Sequence, residues 1–134
     1  MGKPEDRGLS QPPDILLVED EANIAEALTF ILTRAGWRVE RHADGMGAND
    51  ALRAARPRLL ILDLMLPGLS GAEVLARLRA DPDPALAATR VLMLTARGQA
   101  EGIAPGADAY LAKPFGNGEL RDLVAQLLDP EARA

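Results

Sequence analysis

Residues 15–20 read Ile-Leu-Leu-Val-Glu-Asp, and residues 59–63 read Leu-Leu-Ile-Leu-Asp. Short aliphatic runs of this kind are typical of strands that are buried on both faces of a parallel sheet. Each run ends in carboxylates, and the carboxyl ends of parallel strands are where ligands bind in open α/β sheets. The two runs therefore predict that Glu19, Asp20 and Asp63 lie together at one edge of a sheet.

Three carboxylates at one place indicate a cation, because like charges repel unless an opposite charge lies among them. Mg²⁺ is a hard divalent ion that takes oxygen ligands. Two later aliphatic runs end at the same predicted edge, one at Thr95 and the other at Lys113. A metal, a carboxylate nucleophile, a hydroxyl and an ammonium form a set that is suited to holding a phosphoryl group.

The regions between these runs predict helices. Apolar residues recur at helical spacing after Asp20 or Glu21 as far as Ala35-Gly36, and again over about 48–55, 71–79 and 117–128. Residues 37–43 predict the remaining strand, and Asp81-Pro82-Asp83-Pro84 predicts a break in the chain. The alternation predicts an α/β fold with a doubly wound, five-stranded parallel sheet and helices on both faces, as in flavodoxin-like proteins.

Length and composition define the domain organisation. The 134 residues suit one domain, which we assign to residues 14–129, with a disordered N-terminal segment at 1–13 and a tail at 130–134. The sequence has no cysteine, which excludes disulfides and thiolate metal sites. There is neither a signal-peptide pattern nor an apolar stretch near the roughly 20 residues of a membrane span, so we expect a cytoplasmic protein. The net charge of -5 argues against nonspecific DNA binding.

Several short motifs, taken together and in order, resemble the receiver domain of bacterial two-component response regulators. They are Leu17-Val18-Glu19-Asp20-Glu21, Leu62-Asp63-Leu64-Met65-Leu66-Pro67-Gly68, Gly71, Leu94-Thr95-Ala96 and Gly106-Ala107-Asp108-Ala109-Tyr110-Leu111-Ala112-Lys113-Pro114-Phe115. Each motif alone is weak, whereas their joint order and spacing are specific. The resemblance covers about residues 14–128.

The resemblance implies a chemical role for each site residue. Asp63 accepts a phosphoryl group, and Lys113 and Thr95 contact that group. Mg²⁺ is held by Glu19, Asp20, Asp63 and the backbone carbonyl of Met65. Tyr110 occupies an aromatic switch position that responds to Thr95, and the peptide bond before Pro114 is cis.

The resemblance also implies a function and partners. The chain is expected to be a phosphorylation-dependent switch and not an enzyme, although it would catalyse its own phosphotransfer and autodephosphorylation. The phosphodonor would be a sensor histidine kinase or a histidine phosphotransfer protein. The output partner is an unknown protein, without direct contact to nucleic acid or membrane. Nothing in the sequence decides between a stand-alone receiver and a piece of a longer protein.

One region departs from the family pattern. Thr95 and Lys113 are 18 positions apart, about four fewer than is typical of receivers, which is about one helical turn. This predicts that the fourth helix, between the last two strands, is shortened or irregular. Residues 99–106 are then expected to be the least protected internal segment. A monomer or a non-standard dimer is favoured, because that helix forms part of the usual dimer face.

Three alternative functions remain at this point. A pseudo-receiver would keep the fold as an interaction module without phosphotransfer. A hydrolase of the haloacid dehalogenase kind also uses an Asp nucleophile with Mg²⁺, but it needs an acid/base Asp two residues later, where this chain has Met65. A flavodoxin-like cofactor binder needs a phosphate-cradling loop after the first strand, and here that loop is acidic.

Overall fold

The computed structural model describes residues 12–96 and 105–129. These residues form one five-stranded sheet in the order β2-β1-β3-β4-β5, with all neighbouring strands parallel. The strands are β1 Ile15–Val18, β2 Val39–His42, β3 Leu59–Asp63, β4 Arg90–Ala96 and β5 Ala109–Lys113. The helices are α1 Ala22–Arg34, α2 Ala48–Ala55, α3 Gly71–Arg79, the single turn α4 Pro84–Ala87, and α5 Asn117–Leu128.

Both faces of the sheet are covered, which explains why the central strands are continuous aliphatic runs. Ile15 and Leu17 pack into the core with α1 and α5, whereas Leu16 and Val18 pack into the core with α2 and α3. All four side chains of β1 have no exposed surface. Burying one such side chain contributes about 1.5–3 kcal/mol to folding, so a polar substitution in β1 or β3 would be costly on either face.

The predicted helices occur, and their starts have local explanations. The Ser70 hydroxyl accepts a hydrogen bond from the Glu73 backbone N–H, and Glu73 Oε1 accepts one from the Ser70 backbone N–H. This reciprocal cap begins α3 at the residue where the loop after β3 ends. The break predicted at residues 81–84 leads directly into the turn α4, because the Asp83 side chain caps that turn through the Ala85 N–H and Pro84 is tolerated in a first helical turn.

Strand boundaries differ from the predictions by one or two residues. The second strand is shorter than the predicted 37–43, since the Trp37 N–H donates to the Leu32 carbonyl at the end of α1 and does not join the sheet ladder. The other differences are extensions, as β4 begins at Arg90 and continues to Ala96, and β5 begins at Ala109. These changes leave the carboxyl edge of the sheet where it was predicted.

Two sets of predictions lie partly outside the described residues. The irregular fourth helix and the protection of residues 99–106 concern a segment of which 97–104 are not described, and most of the N-terminal segment and the C-terminal tail are not described either. These remain predictions. Across residues 12–96 and 105–129, no helix combines the length and the apolar character needed to cross a membrane.

Candidate functional site

The three predicted carboxylates meet at the carboxyl edge of the sheet. One oxygen from each of Glu19, Asp20 and Asp63 lies within 4.8 Å of the others. The parallel register explains this meeting, because Val18 pairs with Leu62 and the next residues of both strands are therefore neighbours. Glu19 is fully buried and Asp63 is nearly so, whereas Asp20 is exposed. The cluster is therefore open to solvent on the side of Asp20.

Lys113 supplies the positive charge that faces this cluster. Its Nζ lies 3.2 Å from Glu19 Oε1 and 3.3 Å from Asp63 Oδ2. Burial alone would lower the pKa of the Lys113 ammonium, but the carboxylates of Asp63 and Glu19 more than offset burial and raise that pKa. Lys113 is therefore a cation at neutral pH, and its one charge is shared by the two buried carboxylates, Glu19 and Asp63.

The pKa of the Glu19 carboxyl is raised in this cluster. Burial raises the pKa of the Glu19 carboxyl above its ordinary value, and the nearby Asp63 charge raises it further. The hydrogen bond from the Glu21 N–H to Glu19 Oε2, at 3.2 Å, and the Lys113 charge act in the opposite direction without cancelling the increase in pKa. The ionised form of Glu19 is therefore held at a disadvantage that a further cation would relieve.

The loop after β3 holds Asp63 closely. The backbone N–H of Met65 donates to Asp63 Oδ1 at 3.2 Å, and the Gly71 N–H donates to the Leu64 carbonyl at 3.0 Å. A Cβ at residue 71 would collide with the Asp63 carbonyl oxygen, so the first turn of α3 can approach β3 because that residue is glycine. Met65 itself is 64% exposed at the rim of the site.

The remaining predicted residues lie on β4 and β5. Asp63 pairs with Leu94, which places the buried Thr95 one residue further along the neighbouring strand. Tyr110 is half-buried on the face of the sheet covered by α2 and α3, and its hydroxyl accepts a hydrogen bond from the Ala107 N–H at 3.3 Å. Thr95 is directed to the same face as Met93, because side chains alternate along a strand. The peptide bond between Lys113 and Pro114 is cis.

Sequence reasoning missed Arg41. Its guanidinium Nε and Nη2 donate to the Glu19 carbonyl at 3.1 and 2.9 Å, and Nη2 also donates to the Asp20 carbonyl at 3.2 Å. Arg41 pairs in register with Leu17, two residues before Glu19. A basic residue near the end of the strand beside β1 was the available signal, but its use depended on the strand order.

A groove beside Lys113 was also missed. We call it the α1–β5 groove, and its volume is about 490 Å³. Its lining is mostly apolar and comes from α1 and from the chain after β5: Asn23, Ile24, Ala27, Leu28, Ile31, Lys113, Pro114, Phe115 and Asn117. Lys113 lines the groove and also contacts Asp63, so the groove adjoins the carboxylate cluster.

The sequence is similar to those of known response regulators. The chain is 42% identical over 117 residues to the DNA-binding response regulator MtrA of Mycobacterium tuberculosis, covering 84% of this chain and 48% of that protein. It is 41% identical over 120 residues to the phosphate regulon transcriptional regulatory protein PhoB of Rhizobium meliloti, covering 87% of this chain and 52% of that protein. The chain thus spans about half the length of these curated relatives.

Solved structures agree in fold. The receiver domain of the sensor histidine kinase PA1611 from Pseudomonas aeruginosa, determined with a magnesium ion coordinated in its active-site cleft, has a TM-score of 0.79 at 29% identity, over 87% of this chain and 98% of that one. The chemotaxis protein CheY4 of Vibrio cholerae has a TM-score of 0.76 at 31% identity, over 85% of this chain and 97% of that one. The response regulator receiver domain profile matches residues 15–125, and the chain belongs to that family.

Proposed function

We propose that this domain is a switch in which Asp63 accepts a phosphoryl group, with Mg²⁺, from the phosphohistidine of a kinase or a phosphotransfer protein. The observation that carries the proposal is a nearly buried carboxylate, Asp63, at the end of β3. Its oxygens contact Lys113 and lie within 4.8 Å of oxygens of two further carboxylates. The meeting of Asp63 with Lys113 and two further carboxylates supports phosphotransfer over the interaction-only alternative.

The transfer needs little from a base. Asp63 is a carboxylate, a nucleophile that requires no proton removal once ionised. One of its oxygens forms the new P–O bond while the P–N bond of the donor phosphohistidine breaks, and that electron pair returns to the imidazole nitrogen. Lys113, 3.3 Å from Asp63 Oδ2, is placed to hold an oxygen of the arriving phosphoryl group as a point charge.

The residues fit a hard divalent cation. Three carboxylates offer oxygen ligands within 4.8 Å of one another, and the site is open on the side of Asp20. Glu19, Asp20 and Asp63, directly or through water, would hold Mg²⁺, and the Met65 carbonyl is the fourth proposed ligand. When bound, Mg²⁺ supplies neutralisation of the charge on the transferring group.

The conformational response is assigned to Thr95 and Tyr110. Thr95 lies one residue beyond the partner of Asp63, and its hydroxyl is the proposed donor to the phosphoryl oxygen. Thr95 and Tyr110 share the face of the sheet covered by α2 and α3, so a shift of Thr95 alters the space that the tyrosine ring can occupy. This coupling links Asp63 to β5 and the surface beside it.

The α1–β5 groove is the proposed docking site for the phosphodonor. A donor histidine must reach Asp63, and the groove shares Lys113 with that site, so a protein that delivers the phosphoryl group has this apolar surface beside it. Direct DNA binding, which the name of MtrA records for that relative, is not proposed for this domain. We also propose that the domain is cytoplasmic.

Labelling of Asp63 tests the proposal. Incubation with acetyl phosphate and Mg²⁺ should add one phosphoryl group to the intact protein by mass spectrometry, and Asp63→Asn should abolish it, because an amide is not a competent nucleophile. The matched control is Asp44→Asn on the loop after β2. Equal labelling of Asp63→Asn and wild type would contradict the proposal.

A second variant tests the docking surface. Ala27 is an exposed residue of the groove, and Ala27→Arg should slow transfer from a histidine phosphotransfer protein about tenfold, since about 1.4 kcal/mol of lost binding suffices. Labelling by acetyl phosphate should be unchanged. Ala76→Arg, at an exposed alanine of α3 on the opposite face, is the control. Equal transfer rates for the two variants would contradict the assigned surface.

A further inference from the structure

Arg41 binds the backbone that carries two of the three carboxylates. Its guanidinium donates three hydrogen bonds of 2.9–3.2 Å to the consecutive carbonyls of Glu19 and Asp20. These carbonyls lie where β1 has ended and α1 has not begun. On the other side of the same turn, the Glu19 N–H donates to the His42 carbonyl at 3.2 Å. β2 therefore holds the acidic turn through one backbone bond and one side chain.

The turn needs such support because its own side chains repel their neighbours. Glu19, Asp20 and Asp63 lie together, and the two buried carboxylates, Glu19 and Asp63, have Lys113 as a shared contact. Asp20 is exposed, so rotation of the turn toward solvent would relieve the repulsion and separate its carboxylate from the others. A planar guanidinium bonded to two consecutive carbonyls fixes both peptide groups and opposes that rotation.

We propose that Arg41 is a positioning residue for divalent-cation binding, because it holds the Glu19–Asp20 turn in the geometry that directs both carboxylates toward Asp63. The inference rests on the proposed function of the pocket as a Mg²⁺ site. It adds Arg41 of the edge strand β2, which acts through the backbone carbonyls of the turn.

The charge of Arg41 and its hydrogen-bonding geometry have opposite effects on cation affinity. A positive charge near the pocket repels Mg²⁺, so charge alone predicts that removing Arg41 strengthens binding. The positioning role predicts the reverse, because a turn free to rotate must be reordered when the cation binds. The sign of the change in Mg²⁺ affinity therefore distinguishes the two roles.

Two variants of Arg41 distinguish its charge effect from its positioning role. Arg41→Lys keeps the charge but loses the planar fork, and Arg41→Met keeps an aliphatic stem but loses charge and donors. Arg53→Met removes an exposed arginine at the end of α2, away from the pocket, and is the control. The dissociation constant of Mg²⁺ is measured by titrating MgCl₂ and following amide resonances, and urea unfolding gives the stability of each metal-free variant.

Both Arg41 variants should raise the Mg²⁺ dissociation constant about tenfold, the scale found for residues that orient metal ligands, while Arg53→Met leaves it unchanged. Tighter binding by Arg41→Met with unchanged binding by Arg41→Lys would overturn the inference in favour of a charge effect. Unchanged affinity with reduced stability would overturn it in favour of a purely structural role. Absence of Mg²⁺ binding by wild type would remove the proposed function itself, and the inference with it.

A measurement on the wild-type protein does not depend on how the variants fold. The Arg41 Nε–H donates to the Glu19 carbonyl, so its resonance should exchange slowly with water and should shift on addition of MgCl₂. An Arg41 Nε–H that exchanges as fast as that of the exposed Arg121, with no shift on addition of the cation, would overturn the inference.

Discussion

The two edges of the sheet differ in how their charged side chains are paired. At the amino edge, four aspartates each pair with a separate arginine: Arg58–Asp14 at 3.4 Å, Arg53–Asp81 at 3.3 Å, Arg56–Asp83 at 2.6 Å and Arg79–Asp108 at 3.1 Å. At the carboxyl edge, the carboxylates of Glu19, Asp20 and Asp63 lie together, and the two buried ones, Glu19 and Asp63, contact the same cation, Lys113.

The two edges therefore differ in role: the paired charges of the amino edge belong to the fold, and the carboxylate cluster belongs to the proposed chemistry. An exposed charge pair such as Arg56–Asp83 contributes little and can be replaced at small cost. The nearly buried Asp81 has its own arginine partner, Arg53. Buried like charges raise the energy of the folded state unless a cation compensates them. Electrostatic repulsion at the carboxyl edge therefore raises the free energy of the folded state, and binding of Mg²⁺ would relieve it. At the amino edge, each of the four aspartates already has an arginine partner.

Removing Lys113 should give the largest effect on stability. Lys113→Met leaves buried Glu19 and Asp63 without their facing cation, so the metal-free protein should lose about 1–3 kcal/mol of unfolding free energy. Labelling of Asp63 by acetyl phosphate should fall by about 100-fold, because a charge that stabilises the transferring group is lost. Urea unfolding and intact-protein mass spectrometry measure the two effects.

The control lies at the other edge. Arg56→Met removes the partner of Asp83, whose pKa is lowered by the hydrogen bond from Arg56 and whose side chain is 37% exposed. Its unfolding free energy should change far less than that of Lys113→Met, and labelling should be unchanged. Equal destabilisation by the two variants would mean that the edges do not differ in the way described.

A smaller effect should appear in the dependence of stability on pH. Burial raises the folded-state pKa of Glu19 above its ordinary value of 4.5. The folded protein therefore binds a proton more tightly than the unfolded chain. This tighter proton binding stabilises the folded protein. The stabilisation is fully present below pH 4.5 and is lost as the pH rises through the raised pKa of Glu19.

Glu19→Gln should remove this dependence. In metal-free protein the variant should lose less stability than wild type as the pH rises above 4.5, as followed by urea unfolding. Asp44→Asn, on the loop after β2, serves as the control. An identical pH profile for Glu19→Gln and wild type would show that Glu19 is not the strained group.

The sequence predicted those features that depend on local pattern. Aliphatic runs that end in carboxylates determined the central strands and the shared edge, because a parallel register aligns strand ends. Helical spacing determined α2, α3 and α5 to the residue. The cap formed by Ser70 and Glu73 follows a short-range sequence motif, but it was not among the predictions.

Features that depend on non-neighbouring segments were not predictable in this way. The contact of Arg41 with the acidic turn requires that β2 lie beside β1, which alternation does not specify. The α1–β5 groove depends on the separation between α1 and the chain after β5. Leu128 is buried at the end of α5, where Arg58 donates to its carbonyl at 2.8 Å and holds the last turn against the domain.

We infer that the carboxyl edge is under electrostatic strain that a divalent cation would relieve. Urea unfolding of wild type with and without MgCl₂ measures this relief. At a Mg²⁺ concentration about ten times the dissociation constant, the unfolding free energy should rise by about 1.4 kcal/mol, and Asp20→Asn should show a smaller rise from a more stable metal-free protein. An unfolding free energy of wild type that MgCl₂ leaves unchanged would contradict the account.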